Sequence, residues 1–323
     1  MVERHVPVWE RTEHKWASGP AAALRLAAGE ARLLRRPAPR FDVVLVGYPG
    51  HLDLPAARRA ARGRPVVLNP LVSLSDTLVA DRGRFAPGSP PARMLTWVDR
   101  AALRAADVVV ADTQANAAHL AEIALLPRSR FAVCFVGAEE RIFHPPWTPD
   151  EDFLFVGKLI PLHGLETIVA AAELAPELKI KLVGTGQLEP VVQTLPPNVR
   201  WTRWIDYDRL GDAYRSAGCA LGIFGTSAKA SRVIPNKVFQ ALACGAPVIT
   251  ADTPAARELL AHDENAILVP AGDPPALARA MRRVAADDEL RQRIAQAGLD
   301  TYRRQASEEV LGRRWRELLE GVV

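Results

Sequence analysis

The chain has 323 residues, with 41 Lys and Arg against 37 Asp and Glu and a formal net charge of +4. That length accommodates two α/β domains of ordinary size, and so small a basic excess excludes the charge footprint of a nucleic-acid-binding protein. No apolar stretch is long enough to span a bilayer, and Glu3, Arg4, His5 and Glu10 interrupt any signal-peptide pattern. Cys134, Cys219 and Cys244 are far apart, in apolar surroundings and without metal spacing. They read as small buried hydrophobes of a reducing cytoplasm.

The elements follow in chain order. A Rossmann-like domain opens with a buried strand and a Gly-rich turn, but Met1 to Lys15 is polar. The expectation is a chain that begins downstream of its first βα unit; the alternative is that the unit is replaced. Ala21 to Arg36 forms an amphipathic helix carrying Arg25, Arg32, Arg35 and Arg36. Such a helix either docks on the domain or lies on anionic lipid at the inner membrane face. The lack of Trp or Phe on its apolar side favours docking.

DVVLVG (Asp42 to Gly47), PVVLN (Pro65 to Asn69), DVVVAD (Asp107 to Asp112) and FAVCFVG (Phe131 to Gly137) read as buried strands with helices between them. That alternation implies βαβ units and a parallel sheet. GYPGHLDLP after the first strand offers Tyr48, His51 and Asp53 at a cleft edge. His51 reads either as a group facing a ligand at the cleft or as a histidine satisfied by local hydrogen bonds. NPLVSLSDTLVADRG after the second strand offers Ser73, Ser75, Asp76, Asp81 and Arg82.

Around Ile142 to Asp152 the pattern breaks into HPPWTPDED, an interdomain linker. It then restarts with DFLFVG, LKIKLVG, CALGIF, APVIT and AILVP, five further strands, and ends in two helices, DELRQRIAQAG and SEEVLGRRWRELLEG. Two successive halves predict two Rossmann-like, doubly wound parallel-sheet domains facing a cleft. The expected divisions are 1–145, 146–305 and a last segment, 306–323, packing back on the first domain.

Chemistry concentrates in the second half. In FVGKLIPLHGLETI a strand ends at Gly157, Lys158 follows, and His163 and Gly164 open a helix. Ligands bind at the carboxyl ends of parallel strands, and a helix N-terminus favours an anion. In RVIPNKVFQALACGAPVIT, Pro235 is pre-set for a first helical turn, with Asn236 and Lys237 at the N-terminus and Gln240 one turn on. These side chains suit phosphate and ribose hydroxyls; the alternative is a capped amphipathic helix. LVGTGQ has Gly184 and Gly186, but Glu189 stands where a dinucleotide fingerprint needs its third glycine.

VGKLIPLHGLETI, LVGTGQ, SAGCALGIF, FQALACGAPVITAD and RELLAHDENAILVPAGDPPALARAM occur in that order. The ordered set resembles the group 1 glycosyltransferases, glycosyltransferase family 4. The resemblance implies the GT-B fold, with a nucleotide-sugar donor in the C-terminal domain and an acceptor in the N-terminal one. It also implies metal-independent hexosyl transfer with retention at the anomeric carbon and no cofactor. The family's basic pair on the donor diphosphate falls on Lys158 and His163, its base-binding backbone near Ile205, and its two glutamates on Arg232 and Gln240. Gln240 still accepts through its amide oxygen, but Arg232 cannot act as a carboxylate on a sugar hydroxyl. Lys229, Arg232 and Lys237 are instead available to the diphosphate or to an acidic donor sugar. No metal ligands are expected, since no Asp, Glu or His cluster has metal spacing.

The expected function is a cytoplasmic glycosyltransferase whose acceptor is a glycan, a lipid-linked sugar or a small molecule, with peripheral membrane contact held open. A non-catalytic nucleotide-sugar-binding subunit is the alternative from another class. A nucleotide-sugar epimerase has no acid and base groups aligned for it.

Overall fold

The computed structural model describes residues 2, 3, 5, 6, 20–35, 40–150 and 152–323. The expected absence of a first βα unit falls largely on residues outside that set. Two parallel sheets organise the chain. The first joins β1 (Val44–Val46), β2 (Val66–Leu68), β3 (Val108–Ala111) and β4 (Phe131–Val133) in that order. Val66, Val67 and Leu68 are fully buried, as a strand covered on both faces requires. On one face lie α2 (Leu54–Ala61), α3 (Pro90–Ala105) and α4 (Gln114–Ala124), with α1 (Pro20–Arg35) packed against α2. The described strands run in sequence without the reversal that a doubly wound order predicts for this half.

The second sheet does reverse. It comprises β5 (Phe153–Val156), β6 (Ile180–Val183), β7 (Val199–Thr202), β8 (Cys219–Leu221), β9 (Val248–Ala251) and β10 (Ile267–Val269). Their order is β10-β9-β8-β5-β6-β7, all parallel. The chain winds outward through β6 and β7, then returns to β8 beside β5 and winds the other way. The loops after β5 and β8 therefore diverge to opposite faces and open a crevice at the strand ends.

Helices α5 (Leu165–Leu174) and α8 (Pro274–Ala286) cover one face of this sheet. α6 (Leu210–Ser216) and α7 (Asn236–Cys244) cover the other. Six strands stand where five were expected. β7 was missed because it is an edge strand in which Arg200 and Thr202 are exposed, so no continuous apolar run marks it.

α9 (Asp288–Gln305) leads into α10 (Glu308–Glu320), which crosses to the N-terminal domain. Leu311, Trp315 and Leu318 of α10 close the second face of the first sheet over Val67, Val110 and Cys134. All three cysteines are unpaired and buried. Among the described residues no helix is long and apolar enough to cross a membrane.

Candidate functional site

The crevice at the reversal point gathers most of the residues that the sequence singles out. Its floor is made by the loops after β5 and β6, which continue the sheet pairing beyond the strands. Gly157 N–H donates to Val183 O and Leu159 N–H to Thr185 O, at 2.9 and 3.0 Å. A Cβ at Gly184 would fall inside the carbonyl oxygen of Gly157, and the φ of +138° disfavours any side chain there. A Cβ at Gly186 would meet the Leu159 backbone nitrogen at 2.8 Å. The two glycines of LVGTGQ are thus explained by contact between loops.

Above this floor stands Lys237. Pro235, extended at φ −73° and ψ 150°, is the N-cap of α7 and lies outside the helical turn it was expected to occupy. Lys237 stays in the first turn, with its side chain directed inward. Its Nζ lies 3.7 Å from the centroid of the Phe155 ring and is buried without a hydrogen-bond partner. A Cβ at Gly157 would meet that Nζ at 2.7 Å, so glycine leaves the space the amine occupies. Burial holds the Lys237 amine well below its ordinary basicity. A cation over a ring face gains from the ring quadrupole, but it still lacks an anion.

His163 packs edge-on against the same ring, 5.7 Å between centroids. Its Nδ1–H donates to the Lys158 carbonyl, which leaves Nε2 as the second ring nitrogen. Burial first, and then the Lys237 charge, hold the imidazole well below its ordinary pKa. The imidazole is therefore held in its neutral form in this arrangement. Lys158 is exposed at the mouth and Asn236 is exposed on α7. Gln240 is half-buried and accepts from the Tyr214 hydroxyl at 3.4 Å, and Ile205 is half-buried on the loop after β7.

Arg232 is engaged with the N-terminal domain. Its Nη2 pairs with Asp76 of the N-terminal domain at 2.9 Å, and its carbonyl accepts from Thr113 at 2.6 Å. Lys229 is buried and donates to Thr77 at 2.9 Å, with Asp81 3.7 Å away. The carboxylate of Glu258 accepts from Gln114 and Ala115 N–H at 2.7 and 2.9 Å, so it caps α4 from the other domain. Asp76 and Asp81 lie on one π-helical segment, in which Arg82 N–H donates to Thr77 O five residues back. That wide turn brings residues five apart onto one face.

The acceptor-side expectations separate. Tyr48 is exposed at the edge, where the Arg82 charge reaches it. His51 takes the second of its two readings: it is 5% exposed, its Nδ1–H donates to the Pro49 carbonyl two residues away, and its Nε2 lies 3.3 Å from Asp99. Asp99 also accepts from Ser73 and Ser75 hydroxyls and from Leu74 and Ser75 N–H. His51 therefore holds the loop that carries Asp76. Asp53 faces Glu30 of α1, whose carboxyl burial pushes up to about 8.

Asp99, His119 and Glu258 were not found from sequence. Asp99 had a signal, since it shares the buried stripe of α3 with Ala92, Ala102 and Leu103. A lone acid on an apolar stripe needs partners. Among the described residues no group of three or more His, Cys, Asp or Glu is placed to hold a metal ion.

The glycosyl transferase 4-like domain family matches residues 1–137, and the glycosyl transferase-like family matches residues 165–320. The lipopolysaccharide core biosynthesis glycosyltransferase LpsE of Rhizobium meliloti is 24% identical over 164 residues, 51% of this chain and 48% of that protein. The phosphatidyl-myo-inositol mannosyltransferase of Mycobacterium leprae is 33% identical over 145 residues, 43% of this chain and 37% of that protein. The aligned part thus spans half or less of the length of these two curated relatives. The crystal structure of Anabaena HepE in complex with UDP superposes with a TM-score of 0.71 at 16% identity, covering 92% of this chain and 82% of that one. That likeness is one of fold. With the two families matched in series and both parallel-sheet domains present, the chain belongs to the group 1 glycosyltransferases, of the glycosyltransferase 4-like kind, and has their GT-B fold.

Proposed function

We propose that this chain transfers a glycosyl group from a nucleoside diphosphate sugar to an acceptor held by the N-terminal domain, with retention at the anomeric carbon. The observation that carries the reading is Lys237: a buried amine without a hydrogen-bond partner, at the crevice where the second sheet reverses. A diphosphate oxygen would supply the missing partner. The UDP in the HepE complex and the glycosyltransferase relatives support a nucleotide-sugar donor.

In this reading negative charge grows on the leaving phosphate as the anomeric bond breaks. Lys158 at the mouth and Lys237 beneath would meet that charge, which stabilises the transition state more than the ground state. A diphosphate would also restore a proton to His163 Nε2, turning it into a donor. Attack from the leaving-group face lets the departing phosphate take the acceptor proton, so no protein carboxylate nucleophile is required. Gln240 would accept from the ribose, and backbone near Ile205 would face the base. We place the reaction in the cytoplasm. The exposed Arg25, Arg32 and Arg35 of α1 support peripheral contact with anionic lipid.

Lys158→Ala is expected to lower kcat about 100-fold while the affinity for a nucleoside diphosphate falls only a few-fold. Lys158→Arg should be the mildest replacement. Steady-state kinetics beside calorimetry measures both. Unchanged kcat with weaker binding would remove Lys158 from the chemistry. The cations on this crevice take the place that a divalent metal would fill at the diphosphate. EDTA is therefore expected to leave turnover intact, and rescue by magnesium or manganese after chelation would overturn that.

The second reading is a nucleotide-sugar-binding subunit without turnover. The Arg232–Asp76 pair favours it, because an interdomain ion pair stands where the resemblance places a sugar-binding glutamate. Nucleoside diphosphate binding with neither transfer nor donor hydrolysis would select it.

A further inference from the structure

Buried polar atoms in native proteins almost always have a hydrogen-bond partner, so a concentration of those without one marks a place where something binds. Among the described residues, eight buried side-chain nitrogen and oxygen atoms lack a partner. Four of them are Asp81 Oδ1, Arg82 Nε, His119 Nε2 and Arg232 Nε. All four belong to one network of charges at the junction of the two domains.

The network is continuous. Arg82 Nε and Lys229 Nζ lie 3.6 and 3.7 Å from the same oxygen of Asp81. Lys229 donates to Thr77 on the segment that carries Asp76, and Asp76 pairs with Arg232. Burial first, and then the Arg232 charge, lower the pKa of His119 on α4. The charges of Arg82 and Lys229 also reach His163, so the network borders the donor crevice.

Two features of this network remain unbalanced. Arg82, Lys229 and Arg232 are three cations that pair with the two carboxylates Asp76 and Asp81; the neighbouring carboxylate, Asp99, is taken up by His51, Ser73 and Ser75. The side chains of the five are only 26, 9, 16, 11 and 1% exposed, in that order. A surplus cation held away from water is unfavourable unless an anion joins it. The unpaired atoms also have opposite needs. The two arginine Nε–H groups require acceptors, and Asp81 Oδ1 requires a donor. Water supplies either in turn but brings no charge. A hydroxylated anion supplies the charge, the acceptors and the donor together.

We propose that the junction is a second anion subsite, distinct from the donor diphosphate group, that takes a carboxylate or phosphate carried on a sugar or polyol. The anion would bridge the domains, with Arg232 on the donor side and Arg82 and His119 on the acceptor side. This deepens the donor reading, on which it rests for the identity of the neighbouring group. Two sources share the chemistry: an acidic donor sugar and a phosphorylated acceptor.

Calorimetry on the full chain separates them. One arm compares UDP-glucuronate with UDP-glucose. The other compares glucose 6-phosphate and glycerol 3-phosphate with glucose and glycerol, each with and without UDP. The anionic partner is expected to bind about tenfold tighter or more in one arm, and that arm identifies the source. Arg82→Gln and Arg232→Gln should each cut the preference to about threefold or less, and Arg232→Lys should keep most of it. Melting temperature and UDP affinity of the same variants show that the fold survives. UDP binding without an anionic preference in either arm overturns the subsite alone, as does a preference that outlasts both Gln variants. Anionic preference without binding of UDP, GDP or TDP defeats the donor reading alone.

Discussion

Lys237→Met is expected to raise the melting temperature while lowering turnover by about two to three orders of magnitude. Methionine keeps an unbranched chain of similar length against Phe155, and its sulfur also favours a ring contact. What it removes is a buried amine without a hydrogen-bond partner. Removing such a group stabilises the folded chain by about 1–2 kcal/mol, a few degrees for a protein of this size. Loss of activity with gain of stability distinguishes a ligand-binding lysine from a structural one, for which both would fall.

The pH dependence gives a second check. The Lys237 pKa is depressed in the folded chain from its ordinary 10.5. Below the depressed value the amine is protonated in both folded and unfolded chains, and the full cost of burying it is present. As pH rises from there toward 10.5, the folded chain has lost that proton and the unfolded chain still holds it, so folding becomes more favourable. The stability gap between Lys237→Met and the natural chain should therefore be widest at low pH and close as pH approaches 10.5. A gap that stays constant across denaturation curves would mean that the amine is not desolvated. Binding of a diphosphate should be accompanied by proton uptake, read as a dependence of the calorimetric heat on the buffer's ionisation enthalpy.

Gly184→Ala is expected to destabilise the chain by about 3 kcal/mol or more, several times the effect of an ordinary surface substitution. Its φ of +138° lies outside the range of residues with a side chain, and the added methyl would overlap the Gly157 carbonyl. Relief requires the loops after β5 and β6 to part. That would break the Leu159 N–H bond to Thr185 O and displace Gly157 from beneath Lys237. Nucleoside diphosphate affinity should fall together with stability. Chemical denaturation and calorimetry on the same protein test the pair of effects. Intact stability in Gly184→Ala would show that the loops do not meet as described. The same substitution separates this G-x-G from a phosphate-binding turn, in which affinity falls first.

The candidate crevice was largely legible in the sequence because it is local. VGKLIPLHG and VIPNKVF each place a strand end or helix start beside the residues concerned, and local backbone chemistry fixes both. The same holds for the alternating strands, since apolar runs such as VVL and FLFV are buried on both faces whatever lies beyond them. Edge strand β7 escaped because burial on one side only is decided by neighbours distant in the chain.

Whether Lys237 lay on the helix surface or under a ring was not written in its segment. Phe155, 82 positions earlier, and the vacant Cβ position of Gly157 decide it. The same is true of charge. The sequence offers Arg232 and Lys229 as cations for a ligand, and only the packing of the domains sets them against Asp76, Thr77 and Asp81, about 150 residues away. His51 and Asp99 lie in different elements and meet through the folding of the N-terminal sheet and its loops. By itself the sequence determined the two α/β halves, most of their strands and which residues stand at the strand ends, because backbone preference and hydrophobic period act over a few residues. Tertiary structure decided which charges are paired and which buried atoms remain without a partner, because those depend on distances between elements that no local pattern encodes.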